Sequence, residues 1–104
     1  MDQIQEMSDQ FKMLGDKTRL TILAMLKEGA LCVCDLVGFL ETSQPNVSQH
    51  LRKLKDAGLV HETRKGQWIY YSLQIEDKPY IGTILDHLPS LRENIDSIKN
   101  NCCE

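Results

Sequence analysis

The sequence lacks any long apolar run. No stretch of the 104-residue chain approaches the roughly 18 apolar residues that a membrane-spanning helix needs. The first ten residues, MDQIQEMSDQ, have neither the basic nor the apolar region of a secretion signal. We therefore expect a cytoplasmic protein without a membrane partner.

Repeats, low-complexity tracts and linkers are also absent. Hydrophobic residues make up 41% and charged residues 26%, an ordinary globular composition that argues against disorder. The length predicts a single domain over residues 1–104. The chain has no phosphate-binding loop and no cysteine with a clear histidine partner, so we do not expect an enzyme.

Positive charge is scarce overall but concentrated in one segment. The chain has a net charge of -3. Between Ser43 and Tyr71, however, five basic and two acidic residues give a charge of +3, and the rest of the chain carries -6. This asymmetry indicates a local phosphate-binding surface on an acidic protein.

Hydrophobic periodicity predicts a mainly α fold with a β-hairpin. Asp16 and Ser43 are placed to cap helices, and Pro45 suits a first helical turn. The predicted elements are helices over 3–14, 17–28, 33–40 and 44–58, a hairpin over 59–73 turning at Lys65-Gly66, and a helical region over 79–100 that Pro89 kinks or splits.

This order predicts a winged helix-turn-helix, with the helix-turn-helix over about 33–58 and the wing over about 59–73. The amphipathic helices over about 3–14 and 79–100 have no obvious core of their own. We expect them to form a homodimer interface, and packing on their own domain is the alternative.

The polar and basic side chains of the second helix of the helix-turn-helix indicate contact with double-stranded DNA. Its early side chains are hydrogen-bonding groups that can read base edges, later cations suit phosphates, and the hairpin tip suits the DNA backbone or a minor groove. The alternatives are a solvated helix face and, for His50, a structural polar contact. The predicted DNA-binding residues are Ser43, Gln44, Asn46, Val47, Ser48, Gln49, His50, Arg52, Lys53, Arg64, Lys65 and Gln67.

Three short motifs carry a resemblance to a known family. CVCDL (32–36), SQPNVSQHL (43–51) and KGQW (65–68) resemble the ArsR/SmtB family of winged-helix repressors, and the first two its arsenic-responsive branch. The similarity covers roughly residues 10–73. It implies a homodimer that represses an operon without needing a cofactor to bind DNA. It also implies release from the operator when a metal or metalloid binds.

The resemblance makes the cysteines Cys32, Cys34, Cys102 and Cys103 the candidate sensor. Soft thiolates suit As(III), Sb(III) and soft metals such as cadmium. Within a regular helix, positions i and i+2 point about 200° apart. We therefore expect that binding one atom through Cys32 and Cys34 distorts the start of the third helix. Asp35 is interpreted as a helix-start cap or anion rather than a ligand.

The third ligand is open, because Val37 occupies the position of a third cysteine in the family's best-known pattern. A hydroxide or external thiol could complete the site, or Cys102 or Cys103 from either protomer. The two tail cysteines could also form a separate site or have no function.

Other sensing chemistries are alternatives. The resemblance also offers a zinc site on the last helix, but Asp86 and His87 match its pattern poorly. A cadmium- or zinc-responsive repressor and a thiol-redox switch of the same fold remain the rival functions.

Overall fold

A computed structural model describes residues 2–99 of the chain. It confirms the predicted fold class, which is mostly helical with a small antiparallel sheet. The region after residue 79 is split around Pro89, as expected of a proline within a helical pattern. The elements are α1 (Asp2–Leu14), α2 (Lys17–Leu26), β1 (Leu31–Cys32), α3 (Val33–Leu40), α4 (Gln44–Asp56), β2 (Val60–Lys65), β3 (Trp68–Leu73), α5 (Pro79–Asp86) and α6 (Arg92–Lys99).

Both predicted helix caps are present. The Asp16 carboxylate accepts a hydrogen bond from the backbone N–H of Arg19 at 3.1 Å, which satisfies a donor in the first turn of α2. The Ser43 hydroxyl accepts from the backbone N–H of Asn46 at 3.2 Å at the start of α4. The position of α4 relative to the preceding turn is therefore set by its own sequence.

The sheet contains one strand more than the hairpin predicted. Leu31 and Cys32 pair with Tyr71 and Tyr70 of β3, so the strand order is β1-β3-β2. β1 has only two residues, too few to show an alternating pattern in the sequence. Its pairing joins the thiol-bearing segment directly to the wing.

The wing turns one residue later than predicted. Lys65 lies opposite Trp68, so the turn residues are Gly66 and Gln67. Gly66 has a φ of +62°, a left-handed conformation that glycine adopts without steric cost.

The hydrophobic core lies between α2, α3, α4 and α5, with the base of the wing against it. Burial of these apolar side chains is the main force that holds the helix-turn-helix in place. Fully buried members include Ile22, Leu23, Met25, Leu36, Val47, Leu51, Leu54, Leu59, Ile81 and Leu85.

The expectation that the terminal helices have no core of their own is wrong for the C-terminal region. Ile81 and Leu85 of α5 are buried in the domain core, and α6 packs against α3 with Ile95 only 4% exposed. α1 differs, because two of its large apolar side chains, Ile4 and Phe11, are 64% and 41% exposed. A dimer interface remains a prediction, and α1 supplies its clearest apolar surface.

None of the helices described is both long enough and apolar enough to cross a bilayer.

Candidate thiol site and nucleic-acid interface

The two thiols meet where the sheet joins α3. Cys32 ends β1 and is the N-cap of α3, with extended backbone angles (φ -87°, ψ 166°), and Cys34 lies in the first turn. Their Sγ atoms are 2.8 Å apart. The premise that both cysteines lie within a regular helix is therefore wrong: Cys32 precedes the helix, so the helical angle between positions i and i+2 does not separate the sulfurs. Distortion of the helix on ligand binding stays a prediction.

Asp35 holds this backbone arrangement. Its buried carboxylate accepts a hydrogen bond from the backbone N–H of Cys32 at 3.3 Å. This bond spans the N-cap and third position of α3 and satisfies a backbone donor at the helix start, as the sequence predicted. Asp35 therefore fixes Cys32 relative to Cys34.

Cys32, Cys34 and Asp35 bring their ligand atoms within 4.8 Å of one another. Across the part of the chain that the structure describes, this is the one group of three or more residues able to hold a metal ion, and neither Asp86 nor His87 belongs to one. Two sulfurs with one oxygen form a soft donor set that fits thiophilic elements better than hard cations. Cys102 and Cys103 lie outside the described residues.

A groove of about 310 Å³ opens beside the sulfur pair. It lies between α3, the first residue of α4 and the tip of the wing. Most of its wall is apolar, with two side-chain amides. Besides the cysteines, its lining residues are Val33, Val37, Gln44, Gln67, Trp68 and Ile69.

Most predicted base-reading side chains lie on the outer face of α4, where Ser43, Gln44, Ser48 and Gln49 are exposed. Asn46 is half-buried, and its amide donates to the Thr42 hydroxyl at 3.2 Å. Val47 is a correction to the predicted set. It has no exposed surface and belongs to the core, where it holds α4 in place and does not reach DNA.

His50 points toward the start of α2 rather than outward. Its side chain is 16% exposed, and its Nδ1 lies 3.3 Å from the Arg19 guanidinium and 4.0 Å from the Asp16 carboxylate. The backbone N–H of Arg19, followed by the charges of Arg19 and His50, lowers the pKa of Asp16. This arrangement favours the structural role for His50 that the sequence left open.

The predicted cations lie on two connected surfaces. Arg52 and Lys53 are exposed on α4, and Arg64 and Lys65 are exposed at the wing. The neutral Gln67 is exposed beside them. The ammonium of Lys65 sits 5.7 Å from the ring centre of Tyr70, close enough for a cation–π contact.

An ion pair that the sequence analysis missed joins α4 to the wing. Lys55 of α4 donates to Glu62 of β2 at 3.1 Å, and the Tyr71 hydroxyl of β3 donates to the same carboxylate at 3.2 Å. The hydrogen bond from Lys55 lowers the pKa of Glu62, and burial raises the pKa of Tyr71. No local spacing in the sequence marks this contact, because it depends on how the hairpin folds back onto α4.

Helix α3, a short turn, helix α4 and a β-hairpin packed beside them define a winged-helix regulator. The sequence model described as "Bacterial regulatory protein, arsR family" matches residues 16–62. The chain is 46% identical over 76 residues to the arsenic resistance transcriptional regulator ArsR1 of Pseudomonas putida, covering 72% of this chain and 59% of the relative. It is 43% identical over 77 residues to the arsenical resistance operon repressor of Escherichia coli, covering 73% and 66%.

A solved structure is also similar to this chain, and the similarity covers a larger share of that protein. HlyU from Vibrio cholerae has a TM-score of 0.74 and 31% identity, covering 80% of this chain and 90% of that one. The chain belongs to the arsR family of bacterial regulatory proteins, a family of transcriptional regulators and not of enzymes. The match spans 59% and 66% of the length of the two arsenic-related relatives.

Proposed function

We propose that this protein is a metalloid-responsive transcriptional repressor. It binds operator DNA as a homodimer through α4 and the wing, and it is released when As(III) or Sb(III) binds the thiolates of Cys32 and Cys34. The observation that carries the proposal is the 2.8 Å separation of the two sulfurs at the start of the helix that precedes α4. The arsenic-related names of two relatives support the choice of inducer.

The position of the thiol pair provides the coupling to DNA. The backbone of Cys32 pairs with Tyr70 of the wing strand, while Cys34 lies in the first turn of the helix that leads into α4. A shift of either cysteine is therefore transmitted to a predicted DNA-binding element. By thermodynamic reciprocity, DNA that favours one arrangement weakens ligand binding to the same degree that the ligand weakens DNA binding.

The test uses fluorescence anisotropy of a labelled fragment from the protein's own promoter. The titrants are arsenite, antimonite, cadmium and zinc, added separately to the full chain under a phosphine reductant. We expect arsenite and antimonite to release the fragment. Release by zinc alone would indicate a sensor site other than the thiol pair. Release by cadmium alone would indicate a soft-metal sensor.

The key variant is Cys34→Ser. We expect it to bind the operator normally and to resist release by arsenite, because one of two adjacent sulfurs is lost. The matched control, Glu76→Cys, adds a thiol at an exposed position after β3, outside the predicted DNA-binding residues, and should not restore the response when combined with Cys34→Ser. Loss of operator binding by Cys34→Ser would instead make Cys34 a structural residue.

The same geometry supports a redox switch as the second candidate. Two sulfurs this close can form a disulfide with little backbone movement, and oxidation would then take the place of ligand binding. Release of the operator by peroxide, with arsenite inert under the phosphine reductant, would favour this function over the first.

A further inference from the structure

We propose that Arg19 is a positioning residue for operator recognition, because its guanidinium links the end of α1 to His50 of α4. This inference rests on the proposed function, since it specifies how the helix that reads the operator is held. The contacts that carry it join Arg19 to backbone carbonyls of α1, to the Asp16 cap and to the imidazole on α4.

The guanidinium closes the C-terminal end of α1. Its Nε donates to the backbone carbonyl of Met13 at 2.9 Å, and its Nη2 makes a longer contact of 3.5 Å with the carbonyl of Lys12. The last carbonyls of a helix lack partners within the helix, and the negative end of the helix dipole favours a cation beside them. Arg19 therefore fixes the end of α1 relative to the first turn of α2.

The same guanidinium holds one side of α4. Its Nη1 lies 3.3 Å from the Nδ1 of His50, whose side chain is 16% exposed. A guanidinium can only donate hydrogen bonds, so this contact is a hydrogen bond when Nδ1 carries no proton and accepts. The Asp16 carboxylate accepts from the backbone N–H of Arg19 at 3.1 Å, which fixes the backbone from which the guanidinium extends.

A directional contact at this position sets the rotation of α4 about its axis. The buried side chains of Val47, Leu51 and Leu54 hold α4 against the core, but burial of apolar surface is non-directional. The hydrogen bond at His50 adds a fixed direction. His50 follows Gln49, one of the predicted base-reading residues, so the rotation of α4 decides where the Gln49 amide points.

The link to α1 gives this orientation a role in the homodimer of the proposed function. Both α1 and α4 pack against α2, and α1 carries the exposed apolar side chains of Ile4 and Phe11. A two-fold dimer reads half-sites about one DNA turn apart, which requires a fixed separation and angle between its two α4 helices. Arg19, which bonds to both helices within one protomer, therefore favours the operator over random DNA.

The first experiment replaces Arg19 in the full chain and measures anisotropy on the operator fragment and on random DNA. Arg19→Met removes the donating nitrogens, and Arg19→Lys keeps the charge but lacks the planar fork that reaches several acceptors. We expect both to weaken operator binding by about tenfold and random-DNA binding by less than about twofold. Lys17→Met is the matched control, because it removes an exposed cation from the first turn of the same helix and should change neither.

The second experiment tests whether Arg19 acts through His50. Asparagine carries its Oδ1 on the same carbon that bears Nδ1 in histidine, so His50→Asn keeps an acceptor and should bind the operator within about threefold of wild type. His50→Leu has a similar size without an acceptor and should lose about tenfold. The double variant Arg19→Met/His50→Leu should be no weaker than either single variant, because both changes remove the same link.

Amide hydrogen exchange of the DNA-free protein gives a measure that does not depend on operator binding. We expect Arg19→Met and His50→Leu to speed exchange in α4 by about threefold or more, with little change in β2 and β3. A general loss of stability would instead speed exchange in all three elements together.

The inference is overturned if Arg19→Met keeps full operator affinity or leaves α4 exchange unchanged, or if exchange rises equally in α4 and the wing. It is also overturned if His50→Asn binds as weakly as His50→Leu, or if the losses of the double variant multiply to about a hundredfold. If arsenite releases the operator from wild type and one of these results is found, the proposed function stands and only this inference fails. If wild type binds no operator fragment, the proposed function fails and the exchange measurement still decides this inference.

Discussion

The backbone position of Cys32 decides how the two thiols can be used. Within α3, Cys32 and Cys34 would point to different sides of the helix. As the extended N-cap, held by the Asp35 carboxylate, Cys32 instead places its sulfur against that of Cys34. Because Cys32 lies one position before α3 and not within it, the two sulfurs can bind the same atom.

At the same scale, Gln49 is the side chain we expect to read a base. It is exposed on α4, and glutamine can form two hydrogen bonds with adenine. Gln49→Ala should weaken operator binding by about tenfold and leave binding to random DNA nearly unchanged, measured by anisotropy on both fragments. Lys53→Ala is the comparison, because a lost phosphate contact weakens binding to both. Equal losses for Gln49→Ala would remove it from the base-reading set.

Glu41 has a strained backbone in the turn between α3 and α4. Its φ is +52°, in the left-handed region that favours glycine, and its N–H bonds the carbonyl of Val37 at 3.0 Å. Glu41→Gly should raise the free energy of unfolding by up to about 1 kcal/mol, measured by urea denaturation. Glu41→Ala removes the same side chain but keeps the strain, so it should give no gain. A glycine variant no more stable than the alanine variant would refute this account.

At the scale of elements, α4 and the wing act as one surface because Glu62 joins them. Its carboxylate accepts from Lys55 of α4 and from Tyr71 of β3. Gln44 of α4 and Gln67 and Trp68 of the wing also line the same groove. Glu62 therefore holds α4 and both wing strands together.

Glu62→Gln should lower the free energy of unfolding at pH 7 by about 0.5 kcal/mol, the range for an ion pair that water still reaches, since the side chains of Lys55 and Glu62 are 52% and 28% exposed. Lys55 lowers the pKa of Glu62 in the folded state, so the stabilisation is complete above its ordinary pKa of 4.5 and is lost as pH falls through the lowered value. The difference between wild type and variant should therefore vanish in acid, as measured by denaturation at several pH values. Glu76→Gln, at an exposed carboxylate after β3, is the control. A difference that persists at low pH would exclude the charge of Glu62 as its cause.

At the scale of the whole molecule, the exposed apolar face of α1 points to a second copy of the chain. Ile4 is 64% and Phe11 41% exposed, and both lie on one side of α1 with Met7. The family resemblance implies a homodimer, which would bind two half-sites about one DNA turn apart. Burying this face would add to a core that is modest for a chain of 104 residues.

Ile4→Glu should therefore make the protein monomeric and weaken operator binding by more than about tenfold, since a monomer holds one half-site. Sedimentation equilibrium and anisotropy measure the two effects. Gln3→Glu adds the same charge at the neighbouring exposed position and should leave the dimer intact. A dimeric Ile4→Glu variant with full operator affinity would place the interface elsewhere.

The sequence by itself determined the features that depend only on residues close to one another in the chain. Helical periodicity, the caps at Asp16 and Ser43 and the glycine-containing hairpin turn are local signals, and they predicted the helix-turn-helix and the wing. The thiol pair and the exposed face of α4 were predicted for the same reason, since each lies within one short segment.

Only the tertiary structure decided what depends on contacts between distant segments. The pairing of β1 with β3, the burial of Val47, the contact of His50 with Arg19 and the bond between Lys55 and Glu62 each join elements that the sequence keeps apart. The groove beside the cysteines has the same origin, because α3, α4 and the wing each supply part of its wall. The sequence therefore predicted which thiols to consider, and packing determined the space that opens beside them.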